Sequence, residues 1–487
     1  MTTAPRHRRD GALRPNVLGG PDSVVLSIAG SAPAYTIAAT TATLVGAAGL
    51  ASPAALIWCG IPMLGIGLAY LYLVRQEAHA GAGYAWVGRA LHPILGYLSG
   101  WALVVAATLF MVAGSLPAGS LTLSLISPHL AENTAAVTVV GAAWFLAMVL
   151  IVIMGVRVTA HVQWLMTGIE VSILLLFTAL ALVRAPDIAV QSFDWSWLGF
   201  GHFDGFHGFA SAALIAAFYY WGWDVSANLS EETKSARRTS GVGGLIGLVM
   251  VFVLYESFTI VTNMLMTPGQ IQKSSGNLVE VLGQAIWPGV GGKVLSLAVV
   301  LSTIATLETT LIQVTRTLYA MGRDRALPGA LAWTLSGRRT PWVATLVVAG
   351  AAMVLFVVSA LVGSVSKVLS DAVSAIGLQI SVYYALAGLA VVVAYRRFLF
   401  TSVRRFVLAG LWPLAGSFFM GWIFVESLSS LDGTAMAIGL GSLGLGLIPM
   451  AYYWANGSAY FRTRVGRHAV RTTVPVPSSP GGYDPYR

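Results

Sequence analysis

The chain has 487 residues, of which 56% are hydrophobic and 10% charged, whereas a soluble domain carries about 25% charged residues. This composition excludes a large soluble enzyme and predicts an integral membrane protein, because the apolar runs exceed the roughly 20 residues that a helix needs to cross a bilayer. The formal charge of +9 does not indicate a nucleic-acid partner, and the single cysteine, Cys59, excludes a cysteine metal cluster.

Twelve apolar segments are predicted to be transmembrane helices. In chain order they are 23–49, 53–74, 93–125, 134–154, 159–183, 208–230, 242–267, 292–321, 342–362, 367–394, 405–427 and 433–455. If the N-terminus is cytoplasmic, all but four of the 28 Lys and Arg residues fall in cytoplasmic loops and tails. Cytoplasmic loops of membrane proteins carry this excess of basic residues, so the pattern predicts a multi-pass protein of the cytoplasmic membrane with both termini inside.

The first span contains an interruption, Gly30-Ser31-Ala32-Pro33. Proline removes a backbone donor and clashes with the preceding turn, so the helix is expected to break here. Ser31 is predicted to cap a second half-helix with Pro33 in its first turn. The free N–H groups of such a helix start suit a carboxylate, and the carbonyls that end the first half suit an ammonium or a metal cation. A simple packing kink is the alternative.

The sixth span contains a second interruption, where Gly222 lies between two tryptophans and Asp224 follows. Glycine or proline interruptions at corresponding positions of two halves indicate an inverted-repeat transporter. Residues 21–184 and 185–395 are therefore predicted to be two repeats of five helices, and 396–461 to hold helices 11 and 12. Residues 1–20 and 462–487 are predicted to be a basic cytoplasmic tail and a disordered cytoplasmic tail.

The second interruption and two further motifs resemble the amino acid–polyamine–organocation superfamily, in particular its bacterial amino acid permeases. The matching motifs, between residue 20 and about residue 395, are Tyr220-Trp-Gly-Trp-Asp224 with Ser230-Glu-Glu-Thr-Lys234, Arg316-Thr-Leu-Tyr-Ala-Met-Gly-Arg323-Asp324 with Leu327-Pro328, and Ala80-Gly-Ala-Gly-Tyr84 with Gly100-Trp101. The resemblance implies a leucine-transporter-type fold in which both broken helices bind the substrate, mainly through backbone groups. Carried over to this chain, the substrate-binding residues are Ala29, Gly30, Ser31, Ala32, Tyr220, Gly222 and Asp224. Pro33 departs from the Gly-x-Gly-rich break common in the family and is expected to narrow or re-aim the carboxylate cradle.

Several acidic residues lie at membrane depth, where an ionisable side chain is expensive and indicates function. Some proton-coupled relatives hold a lysine in span 5 near the first break, and Glu170 stands at about that position. Glu170 and Glu308 are therefore candidates for carrying a coupling proton, while structural pairing with His161, Gln313 or Arg316 is the alternative. Glu256 is a weaker candidate of the same kind. Asp224 is expected either to meet substrate or a proton, or to be a buried acid bonded to backbone N–H groups near the break.

Glu231 and Glu232 follow the second interruption, and the resemblance implies an inner gate formed by them. Lys234, Arg237 and basic loop residues are their expected partners, although a solvated charge run is equally compatible with the sequence.

No zinc motif, paired aspartates or phosphate-binding loop indicates an enzyme, and no repeated pore loop indicates a channel. The sequence instead predicts a secondary transporter that needs no cofactor and no metal. Its expected partners are the lipid bilayer, a small-molecule substrate, and a proton or counter-substrate. An amino acid is the favoured substrate, because half-helix ends offer both N–H groups and carbonyls. An amine or polyamine is the alternative, since the four acids at membrane depth suit a cation.

Overall fold

A computed structural model describes residues 12–362, 365–431 and 433–462 of the chain. The predicted disordered tail, apart from its first residue, and most of the predicted basic tail lie outside these ranges. The described part of the chain folds into 21 α-helices, joined by turns, short 3₁₀ helices and two longer connections at 189–204 and 324–341. The first half holds α1 Gly20–Ser31, α2 Pro33–Ala48, α3 Ser52–Gln76, α4 Gly83–Ala90, α5 Pro93–Ile126, α6 Pro128–Ala131, α7 Thr134–Met154, α8 Val156–Ile188, α9 Gly205–Tyr219 and α10 Val225–Asn228. The second half holds α11 Ala236–Leu265, α12 Pro268–Lys273, α13 Leu278–Ile286, α14 Gly291–Arg323, α15 Trp342–Val362, α16 Val365–Tyr395, α17 Val403–Arg405, α18 Trp412–Ser430, α19 Gly433–Leu445, α20 Leu447–Ala455 and α21 Ala459–Arg462.

Ten helical stretches among the described residues are long and apolar enough to cross a membrane. The first of them, Gly20–Gln76, runs through α1, α2 and α3, and α9 is a further apolar helix of only 15 residues. The chain is therefore a multi-pass membrane protein, as its composition predicted. The number of twelve spans and the inverted repeat stay predictions.

The first interruption separates α1 from α2 at Ala32, which adopts a left-handed conformation with φ 48° and ψ 61°. Pro33 is the first residue of α2, as expected, since its missing N–H costs nothing there. The predicted cap by Ser31 is wrong. The Ser31 hydroxyl donates backwards to the Ser27 carbonyl of α1, because Ser31 is still the last residue of that helix.

The second interruption lies between α9 and α10, where residues 220–224 are not helical. Gly222 has φ 91°, a left-handed conformation that favours glycine. The continuation past this break is short, because α10 has four residues and is followed by a single 3₁₀ turn at Ser230–Glu232. The sixth predicted span is thus a 15-residue helix before the break and an irregular segment after it.

The two broken segments lie at the centre of the bundle. α1 packs against α11 and α14, and α10 packs against α1, α11 and α14. The approach of α1 and α11 is close because small residues face each other: a Cβ added at Gly247 would lie 2.5 Å from the Ser27 Cβ. The segment before α1 also binds the chain that follows the second break, since the Val17 and Leu18 amides donate to the Glu232 carbonyl at 2.8 and 3.0 Å.

Candidate functional site

The two helix interruptions meet backbone to backbone. A Cβ at Gly30 would lie 2.2 Å from the Gly222 carbonyl oxygen, and a Cβ at Gly222 would lie 2.0 Å from the Gly30 carbonyl oxygen. The contact is reciprocal, so each break occupies the space that a side chain on the other would need. Glycine at both positions is what allows this approach.

The carbonyls that end α1 are bound by hydroxyl groups from neighbouring helices. The Thr306 Oγ1 of α14 donates to the Ala29 carbonyl at 2.6 Å, and the Tyr255 hydroxyl of α11 donates to the Ser31 carbonyl at 2.7 Å. In membrane helices, side-chain hydroxyls and neighbouring helices satisfy backbone groups that a break has freed. These oxygens are also the ones that an ammonium group would use.

The N–H groups that begin α2 are bound by a carboxylate and a hydroxyl oxygen. The Ala34 amide donates to Glu170 Oε1 at 2.9 Å, and the Tyr35 amide donates to Ser302 Oγ at 3.2 Å. Glu170 is fully buried in α8. A carboxylate at a helix start is stabilised by the partial positive charge of the free N–H groups. Glu170 therefore holds the position that the sequence suggested for a substrate carboxylate.

Asp224 is buried just after the second break and accepts hydrogen bonds from two neutral side chains. The Tyr384 hydroxyl of α16 donates to Oδ1 at 3.0 Å, and the Gln313 amide of α14 donates to Oδ2 at 2.9 Å. Asn228 joins the cluster, since Gln313 Nε2 also lies 3.3 Å from Asn228 Oδ1. The expected bonding to backbone groups is thus replaced largely by α14 and α16 side chains.

Tyr220 points away from the meeting of the two breaks. Its hydroxyl donates to the Leu56 carbonyl of α3 at 2.8 Å, and its ring stacks on Phe252 of α11. Its backbone carbonyl stays at the break, where it accepts from Trp223 Nε1 at 3.0 Å. Trp221 points the opposite way, and its Nε1 donates to the Tyr383 hydroxyl at 2.6 Å.

Glu308 lies on α14, and its neighbours differ from those expected. Gln163 Nε2 of α8 donates to Glu308 Oε2 at 2.6 Å and also to the Ala305 carbonyl at 2.9 Å. The suggested partner His161 lies on an exposed face, where its Nδ1 is 2.7 Å from the Arg157 carbonyl. Glu256 on α11 has no hydrogen-bond partner for either carboxylate oxygen among the described residues.

The two glutamates after the second break form ion pairs with α14. Glu232 binds Arg316 through both carboxylate oxygens at 2.9 and 3.2 Å, and both side chains are buried. Glu231 binds Arg323 through both oxygens at 2.8 Å each, in a partly exposed position. These ion pairs are made with α14 rather than with the nearby Lys234 or Arg237. Arg323 follows the predicted end of the eighth span and is thus one of the expected basic loop residues, whereas Arg316 lies within that span and was not an expected partner.

A cleft of about 430 Å³ lies between α2 and α9 and next to α12. Its lining consists of Ala42, Thr43, Gly46, Ala47, Ser211, Ile215, Gln272 and Ser275. These residues are uncharged, and all but Gln272 and Ser275 belong to α2 and α9, the helices of the two broken segments that are predicted to face outwards.

His79 joins the Glu231–Arg323 pair from the loop after α3. Its Nε2 lies 2.9 Å from Arg323 Nη2, and the Gly81 amide donates to its Nδ1 at 3.0 Å. Both neighbours donate hydrogen bonds towards His79. A neutral imidazole can accept one at one of its nitrogens, whereas a protonated imidazolium can accept at neither, so these neighbours favour neutral His79. Burial, together with the charge of Arg323, lowers the pKa of His79 below its ordinary value, against the opposing effect of Glu231 and Asp324.

We expect the stability of the protein to fall as the pH falls below about 6.5. In that range His79 takes up a proton in the unfolded chain but not while it is buried in the folded protein, so protonation favours the unfolded state. The contribution is fully present above pH 6.5 and is lost as the pH approaches the lowered pKa. One such group changes the unfolding free energy by at most about 1.4 kcal/mol per pH unit. Thermal unfolding in detergent between pH 5 and 7.5 measures the effect, and His79→Asn should flatten the profile. An unchanged profile in that variant would assign the pH dependence to other groups.

Several residues of this site escaped the sequence reasoning, namely Tyr255, Ser302, Thr306 and Tyr384, and Gln313 was considered only as a partner of Glu170 or Glu308 although it bonds to Asp224. One signal was present for those in α14, since Ser, Thr and Gln recur through an otherwise apolar span. Polar side chains inside a membrane helix usually bond to neighbouring helices, but the sequence does not say which neighbour is reached.

A family model described as amino acid permease matches residues 22–437, which run from α1 into α19. The chain is also similar to individual transporters. It is 25% identical to the branched-chain amino acid permease BcaP of Bacillus subtilis over 292 residues, which is 57% of this chain and 61% of that permease. It is 23% identical to the serine/threonine exchanger SteT of Bacillus subtilis over 397 residues, which is 79% of this chain and 85% of the exchanger. It is 25% identical to the b(0,+)-type amino acid transporter 1 of Mus musculus over 297 residues, which is 59% of each chain.

Proposed function

This chain belongs to the amino acid permease family, whose members are transporters rather than enzymes, and on that premise we propose that it moves an amino acid across the cytoplasmic membrane by alternating access. The observation that carries the proposal is the reciprocal contact of Gly30 and Gly222. Two broken helices meet at the centre of the bundle, and non-helical backbone at membrane depth is tolerated where it lines a binding cavity.

The substrate groups match the two kinds of helix end at this meeting point. An ammonium group suits the carbonyl oxygens of Ala29, Gly30 and Ser31 together with the Asp224 carboxylate, whose described partners Tyr384 and Gln313 are neutral. A substrate carboxylate suits the first turn of α2. Because Glu170 already accepts from the Ala34 amide, substrate and Glu170 compete for the same donors. Protonation of Glu170 would release this position, which links substrate binding to a proton. Ala32, Tyr220 and Gly222 contribute backbone at the breaks.

The proposed architecture is twelve spans with both termini in the cytoplasm. It follows if Gly20–Gln76 is divided at the 3₁₀ turn Gly49–Ala51 and if the broken segment from Gly205 to Glu232 is counted as a span. Residues 21–184 and 185–395 are then the two repeats, and the Glu231 and Glu232 ion pairs lie at the cytoplasmic end, where they form the inner gate.

Uptake by proteoliposomes tests this function. The purified chain should accumulate at least one labelled amino acid from a panel that also contains amines and polyamines, with and without an inward proton gradient. Strong exchange of a polyamine with no amino acid signal would replace the proposed substrate class by the alternative one. An amino acid signal that ignores the proton gradient but requires internal amino acid would identify an exchanger.

Glu170→Gln is expected to abolish the stimulation of uptake by a proton gradient. Glutamine keeps an acceptor oxygen for the Ala34 amide but does not titrate, so the geometry of α2 is preserved while the proton is lost. The measurement is initial uptake rate with and without the gradient. Glu256→Gln is the matched control, since it removes a buried carboxylate of α11 and should leave the stimulation intact. Full stimulation in Glu170→Gln would remove Glu170 from the coupling machinery.

A further inference from the structure

The buried face of α8 is largely polar in the first half of the helix and apolar in the second half. Its buried residues form a single stripe, namely Val156, Thr159, Ala160, Gln163, Thr167, Glu170, Leu174, Phe177 and Ala181. From Thr159 to Glu170 the stripe is largely polar, and beyond Glu170 it is apolar. In the proposed topology the polar part faces the cytoplasmic half of the membrane. The polar stripe therefore extends from the middle of the membrane towards the cytoplasm only.

Oxygens along the polar part lack partners although they are buried. The atoms without a hydrogen bond of good geometry among the described residues are Thr159 Oγ1, Gln163 Oε1, Thr167 Oγ1, Glu170 Oε2 and, from the facing helix α14, Glu308 Oε1. The Thr159 and Ser302 hydroxyls nevertheless lie close to the Glu308 and Glu170 carboxylates. Each of these side chains is at most 2% exposed. Leaving one such group without a partner costs about 1–3 kcal/mol, and ordered water is the usual partner of buried polar groups that protein atoms do not reach.

The stripe spans the distance that a cytoplasmic path needs. Thr159 and Glu170 are 11 residues apart, or about 16 Å along the helix at 1.5 Å per residue, which is about half of the hydrocarbon core. At the end before α8, a Cβ on Gly155 would lie 3.7 Å from Thr340 Oγ1, another buried oxygen without a partner among the described residues. Thr340 follows Arg338 and Arg339 in the loop before α15.

We propose that this stripe is a hydrated proton path between Glu170 and the cytoplasm and that Glu308 is its relay. The inference rests on the proposed proton-coupled transport. The proton leaves the Glu170 carboxyl, passes through water to the Glu308 carboxylate, and leaves past Thr159 and Thr340, so only O–H bonds break and form. Gln163 positions the relay, because its Nε2 holds Glu308 Oε2 at 2.6 Å.

Few other charged groups border this path. Arg157 and His161 of α8 lie on its exposed face, and Arg338 contacts the end of the path at Gly155. Tyr255 of α11 lies near Glu170 at the inner end. Within the described residues, the two glutamates are therefore the carboxylates that the stripe connects.

Cysteine accessibility tests the hydration without requiring transport. Cys59 is buried and is the single cysteine of the chain, so Cys59→Ala provides a background. Thr159→Cys and Thr167→Cys in inside-out vesicles should react with a charged methanethiosulfonate at least about tenfold faster than Leu174→Cys, because only a hydrated thiol forms the reactive thiolate readily. Leu174→Cys is the matched control, since it lies on the same face of α8 beyond Glu170. Equal, slow labelling at all three positions would overturn the path.

Thr167→Val tests the use of the path by protons. This variant keeps the shape and removes one hydroxyl, so proton-driven uptake should fall about tenfold or more, whereas substrate counterflow without a gradient should change much less. Thr167→Ser should restore the driven rate. Equal losses in both assays would reveal a packing role and overturn the assignment. If the wild type shows proton-driven uptake but Thr159→Cys and Thr167→Cys are not labelled, the path is overturned and the proposed proton coupling still stands. If both cysteines are labelled but the wild type shows no proton-driven uptake, the proposed coupling is contradicted.

Discussion

Gly222→Ala is expected to reduce uptake by more than about 100-fold, because the added Cβ would lie 2.0 Å from the Gly30 carbonyl oxygen. The neighbouring atom is backbone and cannot rotate away, so the two breaks must separate. Gly222 also has φ 91°, a conformation that costs a residue with a side chain about 1–3 kcal/mol. Initial uptake rate in proteoliposomes measures the effect, and elution from size-exclusion chromatography reports whether the variant is folded.

Gly350→Ala is the matched control for this substitution. Gly350 lies in the membrane helix α15, and a Cβ there would have no neighbour within 4 Å. The control should keep wild-type uptake and elution. Near-normal transport by Gly222→Ala would show that the close approach of the breaks is dispensable, and the proposed substrate site would then lose its main support.

Arg316→Met is expected to destabilise the protein by about 3–5 kcal/mol. The substitution leaves Glu232 buried at 1% exposure without the guanidinium that binds both of its oxygens, and an uncompensated buried charge carries a penalty of this size. Thermal unfolding in detergent measures the loss as a lower apparent melting temperature. Glu232→Leu combined with Arg316→Met should recover most of it, since an apolar pair of similar volume often replaces a buried ion pair at little cost.

Lys367→Ala provides the comparison for a surface pair. Its ammonium lies 3.6 Å from the Asp371 carboxylate one helical turn away, and the side chain is 54% exposed. Such pairs contribute about 0.5 kcal/mol or less, so the control should unfold close to the wild type. A melting temperature for Arg316→Met as high as that of Lys367→Ala would mean that Glu232 finds water or another partner, and the proposed inner gate would then be more open than its ion pairs indicate.

Features that follow from local chemistry and from the bilayer could be read from the amino-acid sequence. Runs of apolar residues indicated a helical membrane protein, since a chain inside lipid must satisfy its backbone within each segment. Pro33 and Gly222 indicated the two breaks, because proline removes a backbone donor and glycine weakens a helix. Residue type alone was not sufficient, since Pro62 and Pro117 lie inside α3 and α5. The motifs around these breaks were also sufficient to indicate the permease family, which the family model confirms.

The tertiary structure alone decided which partners these residues meet. Glu232 pairs with Arg316 instead of the adjacent Lys234, and Glu170 reaches the Ala34 amide 136 positions away. Ser31 bonds back into α1 although its residue type suits a cap. Such contacts depend on how helices rotate and pack against one another, and the sequence pattern of one helix does not fix its rotation against several apolar neighbours. Composition therefore predicted that polar groups lie inside the membrane, and packing determined which of them touch.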